Sequence, residues 1–244
     1  AGNLYIVNYT IYPSGAVNVA ARFTSTDMDA AQTEVSESTR TATFTPGRDA
    51  ARKEASKLNV PRIGVRFRLP ASMNQVEYFG RGPAENYLDR NAGSMVGLYK
   101  STAEELYFPY VRPQENGHHT DTRWVSLSTG KKGLLIQADN TIGFNALRNS
   151  IEDFDDEEAT GLSRQWSNFT PEQVANHDEA AAKNVLRRQH HINDITPCDF
   201  VEVCVDLKQQ GVAGYDSWGS RPEPAYTLPA NREYNWGFTL IPLK

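Results

Sequence analysis

Residues 16–23 read Ala-Val-Asn-Val-Ala-Ala-Arg-Phe, and their apolar side chains recur at every second position. The odd-numbered members of this segment, from Val17 to Phe23, would therefore line one face of an extended strand, because successive side chains on a strand point to opposite faces. A Pro-Ser-Gly turn at 13–15 separates this segment from an earlier strand-like run at 4–12. The two runs and their turn predict a β-hairpin.

The same period of two recurs from one end of the chain to the other. Further alternating or strand-like segments occupy residues 63–69, 124–127, 134–138, 201–207 and 234–240. Turn-forming residues, such as those at 129–133, separate neighbouring segments. Repeated short strands joined by turns are typical of antiparallel β-sandwiches. We therefore expect an all-β fold in which residues 1–244 form one large antiparallel sandwich domain.

Two polar segments interrupt the strand pattern, at about 32–58 and at about 152–189. In the second segment, Thr170 is suited to cap a helix and Pro171 to occupy its first turn. This predicts a helical insertion that runs from Pro171 to about Arg188. The segment opens with six acidic residues between Glu152 and Glu158. They lack the alternating oxygen ligands and the glycine of a calcium loop, so we interpret them as a solvated face.

Composition and charge exclude several functional classes. The 244-residue chain has a formal net charge of -5, and its basic residues are scattered. It therefore lacks the basic patch that nucleic acids or anionic membranes require, and no apolar run approaches the roughly 20 residues of a membrane span. The sequence begins Ala-Gly-Asn, without an initiator Met, so we expect it to be part of a longer or processed protein. Cys198 and Cys204 would lie at opposite ends of one strand, roughly 20 Å apart, and are expected to be free thiols.

The string Phe-Gly-Arg-Gly-Pro-Ala-Glu-Asn-Tyr-Leu-Asp-Arg at 79–90 is the densest combination of glycine, proline, charge and aromatic residues in the chain. Gly80, Gly82 and Pro83 predict a sharp change of direction, and Pro83 suits the first position of a short helix. Within the string, Arg81, Glu85, Asp89 and Arg90 could pair with one another. Residue chemistry alone favours a strand-to-helix corner locked by ion pairs over a ligand site.

Catalytic motifs are scarce. The sequence has no serine-nucleophile, phosphate-loop or dinucleotide pattern, and no pair of carboxylates stands out as a glycosidase pair. The histidines lack zinc-site companions, so we predict no metal site. A sugar-epimerising enzyme of the mutarotase type remains an alternative, in which His118 or His190 would act with Glu115 as acid and base.

A candidate sugar contact lies at residues 215–219, Tyr-Asp-Ser-Trp-Gly, in a segment whose glycines and prolines predict a loop. An indole in a loop needs a surface to pack on. Trp218 could stack on the apolar face of galactose while Asp216 binds a hydroxyl group. The alternative is that Trp218 folds back as a lid on the sandwich, and the residues alone leave both possibilities open.

The string at 79–90 closely resembles the Gly-x-Gly-Pro-x-Glu-Asn-Tyr-x-Asp-Arg signature in the C-terminal small-chain domain of bacterial β-galactosidases of glycoside hydrolase family 2. Three further stretches match in the same order, namely residues 60–64, 109–117 with 122–123, and 216–218. The resemblance extends from about Leu4 to Lys244, apart from the two inserts. It implies a large antiparallel sandwich of the galactose mutarotase-like type (a supersandwich), of which the first strands are absent from this sequence.

The resemblance also implies a role. In that family the sandwich packs beside a TIM barrel that holds both catalytic glutamates and the Mg and Na ions, so no catalytic residue, metal or cofactor is expected in this chain, which alone should be inactive. The implied partners are the other domains of a homo-oligomeric bacterial parent enzyme, cytoplasmic or periplasmic, and its galactoside substrate. Trp218 is implied to reach the barrel's mouth and stack on that substrate. Tyr215 stands where relatives often have Asp, and Glu115, Asn116 and Arg123 match architectural positions. An independent carbohydrate-binding module is the main alternative, and a mutarotase-like epimerase is a further one.

Overall fold

The computed structural model describes residues 3–25, 59–154, 192–216 and 219–244. The first predicted insert, at 32–58, lies outside these ranges, and so does nearly all of the second. The predicted helix from Pro171 to about Arg188 is therefore also outside the described residues.

The described part of the chain is built from β-strands, as the alternation predicts. Nine strands occur there: β1 (Asn3–Ile11), β2 (Val17–Ser25), β3 (Arg62–Pro70), β4 (Gln75–Gly82), β5 (Met95–Thr102), β6 (His119–Ser128), β7 (Gly133–Leu147), β8 (Phe200–Gln209) and β9 (Tyr234–Leu243). Short 3-10 turns at Ile151–Asp153, Ile192–Asp194 and Pro224–Tyr226 are the helical elements of the described ranges. All strand pairs are antiparallel, which confirms the predicted all-β antiparallel sandwich.

Strand β7 organises the sheet because it has different neighbours along its length. Strand β6 pairs with it on one side. On the other side, residues 133–138 pair with β9, whereas residues 143–147 pair with β8. The main path of hydrogen-bonded strands is β1-β2-β9-β7-β6-β4-β5, and β3 joins it through β8. The sheet therefore divides at β7 into two arms.

The N-terminal hairpin forms as predicted, with Ile11 opposite Val17 and Asn3 opposite Ser25. Strand β2 pairs with β9 at its other edge and buries Val19, Ala21 and Phe23, the face identified from the alternation, and Val19 and Phe23 pack in hydrophobic clusters. Strand β1 has β2 as its one partner among the nine described strands, and its side chains are largely exposed.

The main core lies where side chains of β4, β6, β7, β8 and β9 meet. Tyr78 is fully buried and makes edge contacts with Phe144 at 5.0 Å and with His119 at 4.9 Å between ring centroids. Burying each aromatic side chain of this kind contributes about 2–3 kcal/mol. The core therefore lies directly beneath the β4 residues that open the string at 79–90.

Two strands were not predicted. Strand β4 contains the first four residues of the string at 79–90, whose glycines indicated a turn, and the chain continues as a strand to Gly82. Among the described strands, β5 pairs with β4 alone, and it exposes Met95 and Leu98, so its residues do not follow a buried–exposed alternation. Both cysteines are free, as expected. No helix in the described ranges is long and apolar enough to cross a membrane.

Candidate functional site

The predicted strand-to-helix corner is a strand-to-turn corner. After β4 ends at Gly82, the Gly82–Pro83 peptide bond is cis and the chain enters bends and turns rather than a helix. Tyr87 and Arg90 then form an isolated antiparallel bridge around residues 88 and 89. The expectation of a helix starting at Pro83 was wrong, because residues 84–90 make hydrogen bonds to distant segments instead of to one another in helical order.

Glu85 anchors this corner to the sandwich. Its side chain is only 5% exposed, and it forms an ion pair with Arg90 at 2.8 Å. Its carboxylate also accepts hydrogen bonds from the Gly117 amide at 2.7 Å, the Tyr87 hydroxyl at 3.2 Å and the Tyr110 hydroxyl. Hydrogen bonds to a charged acceptor are stronger than neutral ones. The Glu85–Arg90 pair confirms the expected locking of the corner by ion pairs.

Asn86 is fully buried and joins the corner to the start of β6. Its side-chain oxygen accepts hydrogen bonds from the amide and hydroxyl of Thr120, and its side-chain nitrogen donates to the carbonyls of Arg81 and Ala84. Its own amide donates to the His118 carbonyl at 2.7 Å. Every hydrogen-bonding group of the side chain is therefore used for structure.

Arg81 does not pair within the string as the sequence suggested. Its guanidinium contacts Asp121, and it donates to the carbonyls of Asn91 and Ser94, at 3.3 and 2.8 Å. It thus ties β4 to β6 and to the turn before β5.

Asp89 faces a different segment, the loop after β8. Its Oδ1 accepts a hydrogen bond from the Val212 amide at 3.1 Å, and its Oδ2 accepts one from the Ala213 amide at 2.7 Å. Gly211 permits this approach, because a Cβ at that position would lie 2.4 Å from the Asp89 carboxyl group. Ala213 and Gly214 both have positive φ angles, 56° and 85°, so the chain turns sharply beside the carboxylate.

The loop then closes on itself around the predicted sugar contact. The Tyr215 amide donates to the Ser220 hydroxyl at 3.1 Å, and the Ser220 amide donates to Asp216 Oδ1 at 3.3 Å. Asp216 and Tyr215 are exposed, with Tyr215 at 57%. Ser217 and Trp218 lie outside the described residues, so the position of the Trp218 side chain stays a prediction.

The corner borders a cavity of about 440 Å³. Its lining includes Glu85, residues 88–94 and Tyr226. Tyr226 belongs to the 3-10 turn Pro224–Tyr226, and its carbonyl accepts a hydrogen bond from the Gly211 amide at 2.8 Å. The start of the loop is therefore held both by Asp89 and by the turn that contributes Tyr226 to the cavity.

His118 and His119 are structural residues. They are 1% and 0% exposed, and the Tyr87 ring stacks on His118 at 5.7 Å. Burial and the nearby Arg62 charge lower the pKa of His118 to about 3, and burial lowers that of His119. A buried, neutral His118 is unsuited to exchange protons with a sugar, and His190 lies outside the described residues, so the mutarotase-like alternative gains no support.

Glu115 lies at the edge of a second cleft, of about 240 Å³, lined also by Asn116, Asn145 and Glu202. Burial raises the pKa of Glu115, and its carboxylate lies 3.6 Å from Arg62. Asn116 bonds both backbone groups of Phe108, and the side-chain amide of Asn145 donates to the Asn116 carbonyl. These amides have architectural partners, as the resemblance implied for Asn116. Among the described residues there is no cluster of three or more His, Cys, Asp or Glu side chains that could hold a metal.

The contact between Asp89 and the loop after β8 could not be predicted from the local sequence. Asp89 and the Val212 amide are 123 positions apart, and no short motif links them. The available signals were the position of Asp89 in the unusual string and of Gly211 just before a predicted loop.

Comparison with known proteins assigns the family. A sequence model described as "Beta galactosidase small chain" matches residues 4–240. A beta-galactosidase of Priestia megaterium is 35% identical over 185 residues, which are 75% of this chain and 15% of that protein. A beta-galactosidase of Halalkalibacterium halodurans is 25% identical over 235 residues, 96% of this chain and 18% of that protein. A third, of an Arthrobacter species, is 40% identical over 111 residues, 43% of this chain and 11% of that protein. The aligned residues make up only 11–18% of the length of these three relatives. The family model, in contrast, matches nearly all of the chain, which is therefore a member of the beta-galactosidase small chain family.

Proposed function

We propose that this chain is the C-terminal sandwich domain of a retaining β-galactosidase of glycoside hydrolase family 2, and that it supplies Trp218 to the galactose site. In this proposal the two catalytic glutamates belong to a TIM barrel outside this chain, together with the Mg and Na ions of the parent enzyme. The chain alone is inactive. Its tasks are to support the barrel and to hold one wall of the sugar site.

The observation that carries the proposal is the attachment of the 211–220 loop to the string at 79–90. Asp89, in the family's signature string, binds the backbone of the loop that bears the Asp-Ser-Trp motif. A loop that presents an aromatic side chain to a ligand needs a fixed base, because each misplacement of a binding group lowers its contribution. The two most distinctive motifs of the chain are thereby joined in one structural unit.

The chemistry of the loop suits a sugar. An indole ring offers a flat apolar face to the C–H groups of galactose, and the exposed Asp216, two positions earlier in the sequence, offers a carboxylate to a hydroxyl group. Retaining hydrolysis requires two carboxylates about 5 Å apart, and these the barrel supplies. Trp218 would then contribute binding energy to the reacting sugar rather than a chemical step.

Kinetics of the complete enzyme that carries this chain test the proposal. Trp218→Ala is expected to lower kcat/KM for a nitrophenyl galactoside by about 5- to 150-fold, the equivalent of about 1–3 kcal/mol for a lost aromatic contact. Tyr9→Ala is the control, because Tyr9 is also an exposed aromatic residue, at 62%, but lies on β1. Unchanged kinetics in Trp218→Ala would refute the role of Trp218, and hydrolysis by the 244-residue chain alone would refute the assignment of catalysis to the barrel.

An independent carbohydrate-binding module is the second candidate, favoured by the exposed rings of Tyr215 and Tyr226 near the same loop. Titration of this chain with galactose or lactose separates the two. Binding at millimolar concentration or tighter would favour the module. No binding would favour a half-site that the barrel completes.

A further inference from the structure

Asp89 anchors the loop after β8 by accepting hydrogen bonds from its backbone, and we call this contact the anchor. Two successive backbone amides, of Val212 and Ala213, point at the two oxygens of one carboxylate. Successive amides in a chain that passes into the left-handed region form a concave site suited to an anion. A carboxylate that accepts two backbone hydrogen bonds fixes both the position and the direction of the segment that donates them.

Asp89 is itself held from the core side. Tyr87, two positions earlier, is 1% exposed and is bridged to Arg90 through their backbone groups. The guanidinium of Arg90 lies 5.1 Å from the centre of the Tyr87 ring and pairs with Glu85. The turn that carries Asp89 is therefore fixed on one side by the buried Tyr87 and on the other by the pairing of Arg90 with the buried Glu85.

The anchor acts close to the residues that would meet the sugar. Only Gly214 separates the bonded amides from Tyr215, and Tyr215 and Asp216 bond to Ser220 across the intervening residues. A shift of the 212–213 backbone would therefore be passed to Tyr215, Asp216 and Ser220. Gly211, which lacks the Cβ that would collide with Asp89, lets the carboxylate reach these amides.

We propose that Asp89 is a positioning residue for Trp218, which sets the height and direction of the loop that brings the indole to galactose. This inference rests on the proposed function of Trp218. It assigns to one residue of the string at 79–90 an effect on substrate binding, whereas Glu85, Asn86 and Arg81 of the same string serve the fold.

A double-mutant cycle in the complete enzyme tests the inference, using Asp89→Ala, Trp218→Ala and the combined variant with a nitrophenyl galactoside. Asp89→Ala is expected to lower kcat/KM by about 5- to 30-fold. In the Trp218→Ala background the same substitution should change kcat/KM by less than about twofold, because its effect passes through the indole. A purely structural role would instead give the same loss in both backgrounds.

Two further variants keep the test informative if Asp89→Ala folds poorly. Asp89→Asn keeps one carbonyl oxygen but turns an N–H donor towards a backbone donor, so it should give a smaller loss with the same dependence on Trp218. Asp121→Asn is the matched control, because Asp121 pairs with Arg81 of the same string and makes no contact with the loop among the described hydrogen bonds. It should leave kcat/KM unchanged.

The outcomes separate this inference from the function on which it rests. A loss in Trp218→Ala with no loss in Asp89→Ala, or with additive losses, overturns the role of Asp89 and leaves that of Trp218 standing. No loss in Trp218→Ala refutes the proposed function and the kinetic role of Asp89 with it. A loss in both single variants without a further loss in the combined variant supports both.

Discussion

Gly211→Ala should detach the 211–220 loop from the string at 79–90 without altering a charged or aromatic residue. The new Cβ would lie 2.4 Å from Cγ and Oδ2 of Asp89 and 2.9 Å from its Cβ. Gly211 has no positive φ angle, so alanine can adopt its backbone conformation. The collision is therefore with the Asp89 side chain, which must turn away from the loop.

Turning away removes the two hydrogen bonds to the amides of Val212 and Ala213. A hydrogen bond to a charged group contributes about 1.5–3 kcal/mol, and water replaces part of this at a half-buried site. We expect the closed state of the loop to lose about 1–3 kcal/mol, which is also the usual cost of overpacking by one methyl group. The opening equilibrium of the loop should then rise by about 5- to 150-fold.

Hydrogen exchange of the complete enzyme, read by mass spectrometry, measures this opening. Peptides that contain residues 211–216 should exchange faster in Gly211→Ala by that factor, while peptides from β6 and β7 should not change. Gly93→Ala is the control, because a Cβ there would meet no atom within 4 Å. Unchanged exchange at 211–216 in Gly211→Ala would refute this prediction. So would a double variant, Asp89→Ala with Gly211→Ala, that exchanges much faster than Asp89→Ala alone, because the new methyl group is expected to act only through the Asp89 side chain.

Two further predictions concern the support beneath the loop. Glu85→Gln places an amide donor among the amide, hydroxyl and guanidinium donors that face Glu85, and it should lower the free energy of unfolding by about 2–3 kcal/mol in a urea titration. Glu77→Gln, the control in the exposed ion pair with Lys100, should lower the free energy of unfolding by less than about 1 kcal/mol. Equal losses in Glu85→Gln and Glu77→Gln would contradict the anchoring role of Glu85. Stability should also depend on His118, whose folded pKa of about 3 lies below the unfolded value near 6.5, so the unfolded state binds the extra proton. This contribution to the free energy of unfolding is complete above about pH 6.5 and falls by up to about 1.4 kcal/mol per pH unit as the pH drops towards 3. If a His118→Gln variant loses stability with pH as steeply as the wild type, His118 is not the source of the pH dependence.

The alternation of apolar residues predicted those strands that have one buried face and one exposed face. Strands β2 and β9 follow this rule, since Val19, Phe23 and Phe238 are buried at the expected positions. Strand β5 does not, because it lies at the end of the described sheet and its successive residues Met95 and Val96 are both exposed. Burial creates the pattern, so a strand with little burial leaves little pattern to read.

The string at 79–90 shows the second limit of local reasoning. Its composition predicted a sharp corner with ion pairs, and the Glu85–Arg90 pair confirms that part. It also suggested a helix, which is absent because Asn86 and Glu85 bond to β6 and to the segment before it. The carboxylate partner of Arg81 lies 40 positions away and the amide partners of Asp89 lie more than 120 positions away. Such partners follow from the sheet's topology rather than from spacing along the chain.

Trp218 of this chain is proposed to form part of a galactose site that another domain completes. Inhibition of the complete enzyme by free galactose tests it most directly, because the inhibition constant reports sugar binding without the chemical step. Trp218→Ala should raise this constant by about 5-fold or more, and Trp218→Phe, which keeps a smaller ring, should raise it less. An inhibition constant that is the same in the wild-type enzyme and in Trp218→Ala would contradict the claim.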